Sequence, residues 1–356
     1  MRFIGILGIF LVLGIAFALS TNRKKINYRT VAWGLGMQLL LGLFVMKTAI
    51  GKNIFQFLGK LVNKLLEFTN EGSHFVFGNL VPTDPNFNNN LGFLFAFQVL
   101  PAIIFVGSLA GIAYYLGIIQ FCVKWVAKLM VMTMGTSGAE SLYAVTTVFL
   151  GQSEAPLIIK PYLQKLTRSE LNSIMTGGMA TIAGSVLFIY VGMLGPEWAP
   201  HIITASIMGA PAGLVLSKIL CPEEGTPDTL GKIEINEEKK DKSIIEAASS
   251  GAIEGMHLAL IVGAMLITFI ALIATINGVL GRCGHMFGCD SFSIQTILGF
   301  VLYPVTFCIG VPSADASAVG ALIGEKIVLN EAVAYTHLLE QMKAGVLSEK
   351  AILIAS

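Results

Sequence analysis

Apolar residues run along this chain in long blocks rather than alternating with polar ones, so block length is the first informative quantity. A helix needs about 20 predominantly apolar residues to cross the hydrocarbon core of a bilayer. Ile4–Leu19, Val31–Ala49, Leu91–Ile119, Ile174–Leu194, Ile202–Leu220 and Met256–Ile276 approach or exceed that length and predict membrane spans. One segment reads differently. Ile54, Phe57, Leu58, Leu61, Leu65 and Phe68 recur at helical spacing, with Lys60, Asn63, Lys64 and Glu67 between them. This predicts an amphipathic helix near residues 53–68, lying in the membrane interface rather than crossing it.

The polar segments orient the apolar ones. Arg23, Lys24, Lys25 and Arg29 stand between the first two spans and place that loop in the cytoplasm, which puts the N-terminus outside. Thr69–Asn90, poor in Lys and Arg, then fits the outer side. Cys221–Lys242 is the hydrophilic linker and is cytoplasmic by alternation, although its near-zero net charge adds no support. Arg282–Asp290 falls outside, where Cys283 and Cys289 can pair if that face is oxidising.

Two regions break the span pattern, Phe121–Val186 and Phe292–Ser356. Each opens with an apolar stretch, Phe121–Met134 and Phe292–Ile309. A glycine and a small-polar helix start follow, Gly135-Thr136-Ser137-Gly138-Ala139-Glu140 in one and Gly310-Val311-Pro312-Ser313-Ala314-Asp315 in the other. Each then runs only three or four helical turns before a polar cluster, Gly151-Gln152-Ser153-Glu154 or Asn330-Glu331. About 14 helical residues cover about 20 Å, enough to pass the bilayer centre and too few to leave the far side. Two such half-length helices meeting at a polar tip predict a re-entrant hairpin. Two hairpins of opposite sense predict an inverted-repeat transporter with its site near the midplane. The competing reading, two ordinary helical pairs with surface loops, leaves Glu154 and Glu331 without a role. After the first hairpin, Gly177, Gly178, Ala180, Thr181, Ala183, Gly184 and Ser185 interrupt the span and predict a broken helix with free carbonyls and hydroxyls. The equivalent break in the second half falls about eleven residues beyond Glu349, past Ser356, so the second broken span is expected to be truncated here and the natural chain to continue.

Composition agrees with the pattern. Hydrophobic residues make up 54% of the 356 and charged ones 13%, against about 25% charged in soluble domains. A net charge of +1 provides no basic stripe, and nucleic acid is excluded as a partner. The first apolar run is followed by Asn22-Arg23-Lys24-Lys25 rather than by a small-residue cleavage site, so it reads as a retained span rather than a signal peptide. Five cysteines without a CxxC pair indicate neither a zinc site nor a disulfide framework. No Ser-His-Asp set or phosphate loop stands out, which argues against an enzyme. The expected fold is an all-α polytopic membrane protein, an inverted repeat with two re-entrant helical hairpins and broken transmembrane helices.

At the two tips the chain resembles the concentrative nucleoside transporters. The resemblance rests on Gly151-Gln152-Ser153-Glu154-Ala155, on Thr181-Ile182-Ala183-Gly184-Ser185-Val186 and on the run from Gly324 to Tyr335. That run follows the family pattern of a lysine, three residues, then Asn-Glu-x-Val-Ala and an aromatic, with Ala332 where the family usually has phenylalanine. It implies a homotrimer in lipid whose scaffold holds the trimer while a transport domain moves like an elevator. Residues 1–120 and 246–280 would form the scaffold, 121–220 and 281–356 the two transport repeats, and 221–245 the linker. It also implies a multi-pass location in the bacterial inner membrane. Gln152 and Glu154 would bind the nucleobase, with Val186 lining that pocket, and Glu331 the ribose hydroxyls; Ser153 and Asn330 belong to the same substrate-binding tips. Sodium, with a proton as alternative, would be held by the Ser153 and Thr181 hydroxyls and the carbonyls of Thr147, Leu150 and Ile182.

These residue types suit the ligand. A nucleoside is uncharged, with donors and acceptors on its base edge and vicinal hydroxyls on its ribose; glutamine serves the first, a carboxylate either. Glutamates inside a membrane are functional by default. The hydroxyls of Ser153 and Thr181 have a plainer role open to them, bonding the preceding turn. Gln152 has one too, as a helix cap. Glu140 and Asp315 read as helix starters, and His257 and His337 as packed rather than ligating; Lys326 is left open. Two other functions remain, an ion-coupled transporter of another small polar solute and a polytopic membrane enzyme with Glu154 and Glu331 as acid and base.

Overall fold

The computed structural model describes residues 4–81, 94–152, 155–231, 241–286 and 292–356. Among them there is no β-strand, and the chain is an all-α, multi-pass membrane protein. The helices are α1 Ile4–Ala18, α2 Tyr28–Lys47, α3 Ala49–Phe77, α4 Phe95–Gln98, α5 Leu100–Tyr115, α6 Ile118–Met134, α7 Gly138–Phe149, α8 Ala155–Ile159, α9 Arg168–Ala180, α10 Gly184–Leu194, α11 Ala199–Leu220, α12 Ile244–Met286, α13 Ile294–Cys308, α14 Ala316–Val328, α15 Glu331–Lys343 and α16 Glu349–Ala355. Tyr28–Val45, Phe95–Tyr115, Ala199–Leu220 and Ile244–Met286 are long and apolar enough to cross a membrane.

The sequence expectations meet this list with two differences and one predicted break. The amphipathic segment belongs to a helix of 29 residues, α3, so the expected outer loop is helical as far as Phe77. The last expected span sits inside a helix of 43 residues, α12, about 65 Å long and twice the thickness of a hydrocarbon core. The expected span over Ile174–Leu194 is two helices, α9 and α10, parted at Thr181-Ile182-Ala183 where the small residues predicted a break. Cys289 lies outside the described residues, so the expected pairing with Cys283 does too.

Two compact units form, Ile15–Ala259 and Met1–Gly14 with Leu260–Ser356. In the first, α11 packs against α2, α3, α7 and α9, and α7 packs against α6 and α9. Helix α6 shows why hydropathy alone does not say what is buried. Ile119, Val123, Ala127, Met130 and Met134 form its buried stripe, yet Phe121, Trp125, Leu129 and Met132 on other faces are exposed. An apolar residue on both sides is what a helix wedged between protein and lipid requires. Helices α5 and α12 cross on glycines. A methyl group on Gly107 would stand 2.6 Å from the Gly251 carbonyl oxygen, one on Gly111 2.4 Å from that of Ala247, and one on Gly255 2.6 Å from that of Ile103. Both helices carry the G-x-x-x-G spacing, which lets backbones touch where lipid offers no hydrophobic drive.

In the second unit α13 lies along α14, and α14 contacts α15 and α16. Thr306 fastens the first pair, its Oγ1 donating to the Ala316 carbonyl at 2.7 Å in a buried setting. Gly8 of α1 sits on the end of α13, where a methyl would come 2.7 Å from the Cys308 carbonyl oxygen.

Candidate functional site

The first polar tip is built from the inside out. Helix α7 is buried along Gly138–Thr147, so its polar side chains must find partners locally. Thr147 Oγ1 donates to the Ala144 carbonyl at 2.9 Å, and Ser141 Oγ to the Ser137 carbonyl at 2.7 Å. The helix starts on a capping box: Ser137 Oγ accepts from the Glu140 N–H, and Glu140 accepts from the Ser137 N–H at 2.8 Å. Glu140 therefore starts a helix, as its position predicts. The chain then leaves α7 through Leu150 and Gly151, whose N–H donates to the Thr147 carbonyl at 3.1 Å.

Gly151 has φ +88, a left-handed conformation that side chains resist. A methyl there would also stand 2.6 Å from the Ala183 Cβ. The tip thus abuts the break between α9 and α10. Gly184, at the start of α10, meets the end of α7 in the same way, since a methyl on it would lie 2.7 Å from the Phe149 carbonyl oxygen. A methyl on Gly178 of α9 would meet the Gln152 Cβ at 3.2 Å and its Oε1 at 3.6 Å. Gln152, Thr181 and Ile182 are thereby brought to one place, with Thr147 and Leu150 in the turn leading to it.

The break itself is tied down. Ser206 of α11 donates to the Ile182 carbonyl at 2.9 Å, and its Oγ accepts from the Ile182 N–H at 3.3 Å. Thr181 Oγ1 donates to the Gly177 carbonyl at 3.1 Å, the preceding-turn bond open to such a hydroxyl. Each of these oxygens still has a lone pair to offer. Val186, in the first turn of α10, is half-buried. Ser153 and Glu154 lie outside the described residues.

The second tip is shorter. Helix α14 ends at Val328, Leu329 turns the chain, and Asn330 caps α15 by accepting from the Val333 N–H at 3.0 Å. The cap uses the Asn330 Oδ1 and leaves the amide N–H groups as donors. Glu331 is the first residue of α15 and is half-buried. Asp315 is the N-cap residue of α14, again a helix start.

Several residues escaped the sequence reading. Ser206 gave no signal, being one hydroxyl in an apolar span. Lys218 did give one, a cation inside the expected span Ile202–Leu220. It lies 2.8 Å from Glu140 Oε2, 2.9 Å from Ser169 Oγ and 3.4 Å from Glu223 Oε2. His337, read as packed, has its Nδ1 2.8 Å from Glu325 Oε2.

Three family models match the chain. "Na+ dependent nucleoside transporter N-terminus" covers residues 7–80, "Nucleoside recognition" covers 96–197, and "Na+ dependent nucleoside transporter C-terminus" covers 201–356. An uncharacterized transporter of Haemophilus influenzae is 41% identical over 97% of this chain and 82% of its own length. Sodium/nucleoside cotransporter 2 of Mus musculus is 40% identical over 95% of this chain and 50% of its own. Among solved structures, CNTnw in an inward-facing substrate-bound state matches with a TM-score of 0.91 and 39% identity, covering 99% of this chain and 84% of that one.

Proposed function

Because the chain belongs to the concentrative nucleoside transporters, membrane carriers and not enzymes, we propose that it takes up nucleosides in symport with a cation, sodium rather than a proton. The observation that carries this reading is the seating of the Gly151-Gln152 tip on the break at Thr181-Ile182-Ala183. An interrupted helix turns carbonyls and hydroxyls outward without exposing them to lipid, and oxygen ligands are what a hard cation takes. In this reading Ser153, Thr181 and the carbonyls of Thr147, Leu150 and Ile182 hold sodium.

Gln152 and Glu154 then read the nucleobase beside Val186, while Glu331 accepts from ribose hydroxyls and the Asn330 amide donates to ribose oxygens. Sodium orders the tip that presents Gln152, which couples the two ligands. Coupling of this kind is reciprocal: each ligand tightens the other by the same factor. The two regions 121–220 and 281–356 act as inverted hairpin repeats of a transport domain that moves like an elevator within a homotrimer. The bacterial inner membrane, with the N-terminus outside, is the proposed location.

The test is uptake of labelled uridine by the reconstituted full-length protein with and without a sodium gradient. Intact uridine accumulating only with the gradient is the expected result. Accumulation that follows pH and ignores sodium would overturn the ion, and no accumulation under either gradient would overturn the substrate.

A further inference from the structure

One polar chain in the unit containing Leu260–Ser356 has no part in the reading above. Asn277 of α12 accepts from the Ile294 N–H at 2.9 Å and donates through Nδ2 to Gln295 Oε1 at 2.9 Å. Gln295 of α13 donates through Nε2 to Glu325 Oε1 at 2.8 Å. His337 Nδ1 completes the chain, 2.9 Å from Oε1 and 2.8 Å from Oε2 of the same carboxylate. Glu325 is 1% exposed and His337 27% exposed. A buried acid is thus held by two neutral amides in series and by one imidazole that water can reach.

The chemistry of the imidazole decides the state of the pair. An ionised carboxylate only accepts, so His337 Nδ1 must carry a hydrogen, and Nε2 remains to take a second proton. Without that proton Glu325 is a buried anion facing neutral donors; with it, the two form an ion pair. A buried charge is costly unless paired, so proton uptake strengthens the contact. The pair joins α14 to α15, and Glu325 and His337 stand symmetrically in sequence, each six residues from Glu331 (331 − 325 and 337 − 331).

We propose that Glu325 and His337 form a proton-binding clasp between α14 and α15, the helices that meet at the Asn330-Glu331 turn, tight when His337 is protonated and slack when it is not. The charged groups acting on His337 are Glu325 on α14 and Glu340 on its own helix. Helix α13 brings the amide of Gln295, and Lys350 of α16 is turned onto the Gly310 carbonyl at 2.7 Å. Lys326 of α14 and Glu349 of α16 are exposed. The clasp stands on these contacts and needs no assumption about the transported solute.

Thermal unfolding of the purified full-length protein, without nucleoside, tests it between about pH 5.5 and 8.5, where a histidine changes charge. The sign follows from the imidazolium: its contribution is complete at the acidic end and is lost as the proton leaves. Wild type is expected to melt higher at the acidic end by more than Glu325→Gln or His337→Gln does, each losing most of the difference. A pH difference as large as the wild type's in either variant overturns the clasp, because the part of the pH dependence that the pair contributes needs both members. Should Glu325→Gln not fold, His337→Asn joins His337→Gln, and most of the difference must be lost in both. Uridine uptake plays no part in this readout, so failure of the transport reading leaves it standing.

Discussion

The two regions proposed as hairpins, 121–186 and 292–356, fasten their helix starts with the same pair of groups in opposite hands. In the first, the hydroxyl is on the hairpin: Ser137, the N-cap residue of α7, donates to Glu170 Oε1 at 2.5 Å. Glu170 is in the first turn of α9 and also accepts from the Thr167 N–H at 2.8 Å. In the second, the carboxylate is on the hairpin: Asp315, the N-cap residue of α14, accepts from Ser348 Oγ at 2.5 Å. Ser348 is the N-cap residue of α16. What recurs is a hydroxyl–carboxylate bond between two helix starts, not the residues that supply it. In each, the serine also accepts from an N–H of its own helix start, and the carboxylate lies where the helix dipole favours negative charge.

The bases differ in burial. Ser137, Glu140 and Glu170 are each 1% exposed, and Lys218 is enclosed with them. The linker adds to this base, the Thr229 carbonyl and Oγ1 accepting from the Gly138 and Ala139 N–H groups at 2.9 and 3.1 Å. In the second base Asp315 is 8% exposed but its partners Ser348 and Lys350 reach the surface, so its bonds are part-buried. A bond made in a low dielectric is stronger, and its loss dearer, than the same bond beside water.

That contrast sets the largest expected effect. Lys218→Met leaves Glu140 buried without its cation and should cost about 3–5 kcal/mol, read as a steep loss of melting temperature or of folded protein. Lys350→Met gives up one part-buried bond to the Gly310 carbonyl and should cost less, about 0.5–1.5 kcal/mol. Equal losses would show that burial does not separate the two bases. At the tips, Glu331→Gln should leave folding intact and weaken uridine binding about tenfold to a hundredfold, the value of about 1.5–3 kcal/mol for a charge-assisted bond. Wild-type affinity in that variant would remove Glu331 from the site.

Smaller differences sharpen the comparison. Ser137→Ala should cost about 1–3 kcal/mol, because Glu170 loses a donor in a dry setting. Ser348→Ala, at the part-buried base, should cost about 0.5–1.5 kcal/mol, and melting curves of the two variants side by side rank them. The smallest effect is expected from Thr181→Ala, which on the proposed sodium site removes one neutral ligand of several. It should raise the sodium concentration for half-maximal uptake while leaving uridine affinity at saturating sodium nearly unchanged. An unchanged sodium requirement would leave the Thr181 hydroxyl with its bond to Gly177 as its whole role.

Much of this protein is local and was legible without coordinates. Glu140 and Asp315 read as helix starts in the sequence, and both stand at one; the caps at Ser137, Thr167, Asn330 and Ser348 are equally local, since a short polar side chain satisfies an N–H within three residues of itself. The break at Thr181–Ala183 follows from a run of small residues, and the apolar blocks follow from the length a bilayer demands. Helix ends were less legible: α3 and α12 run past their apolar blocks because a helix pairs its own backbone whether its surroundings are lipid or water. What joins distant segments needed the tertiary structure. Ser206 reaches Ile182 across 24 residues, Lys218 reaches Ser169 across 49, and Glu325 takes its donors from Gln295 and His337. The glycines of α5 and α12 meet nearly 150 positions apart (251 − 107). Hydrophobic period reports which face of a helix is buried, but not which buried face it meets; the fold alone decides that, because packing and hydrogen bonding choose partners by shape and distance rather than by order along the chain.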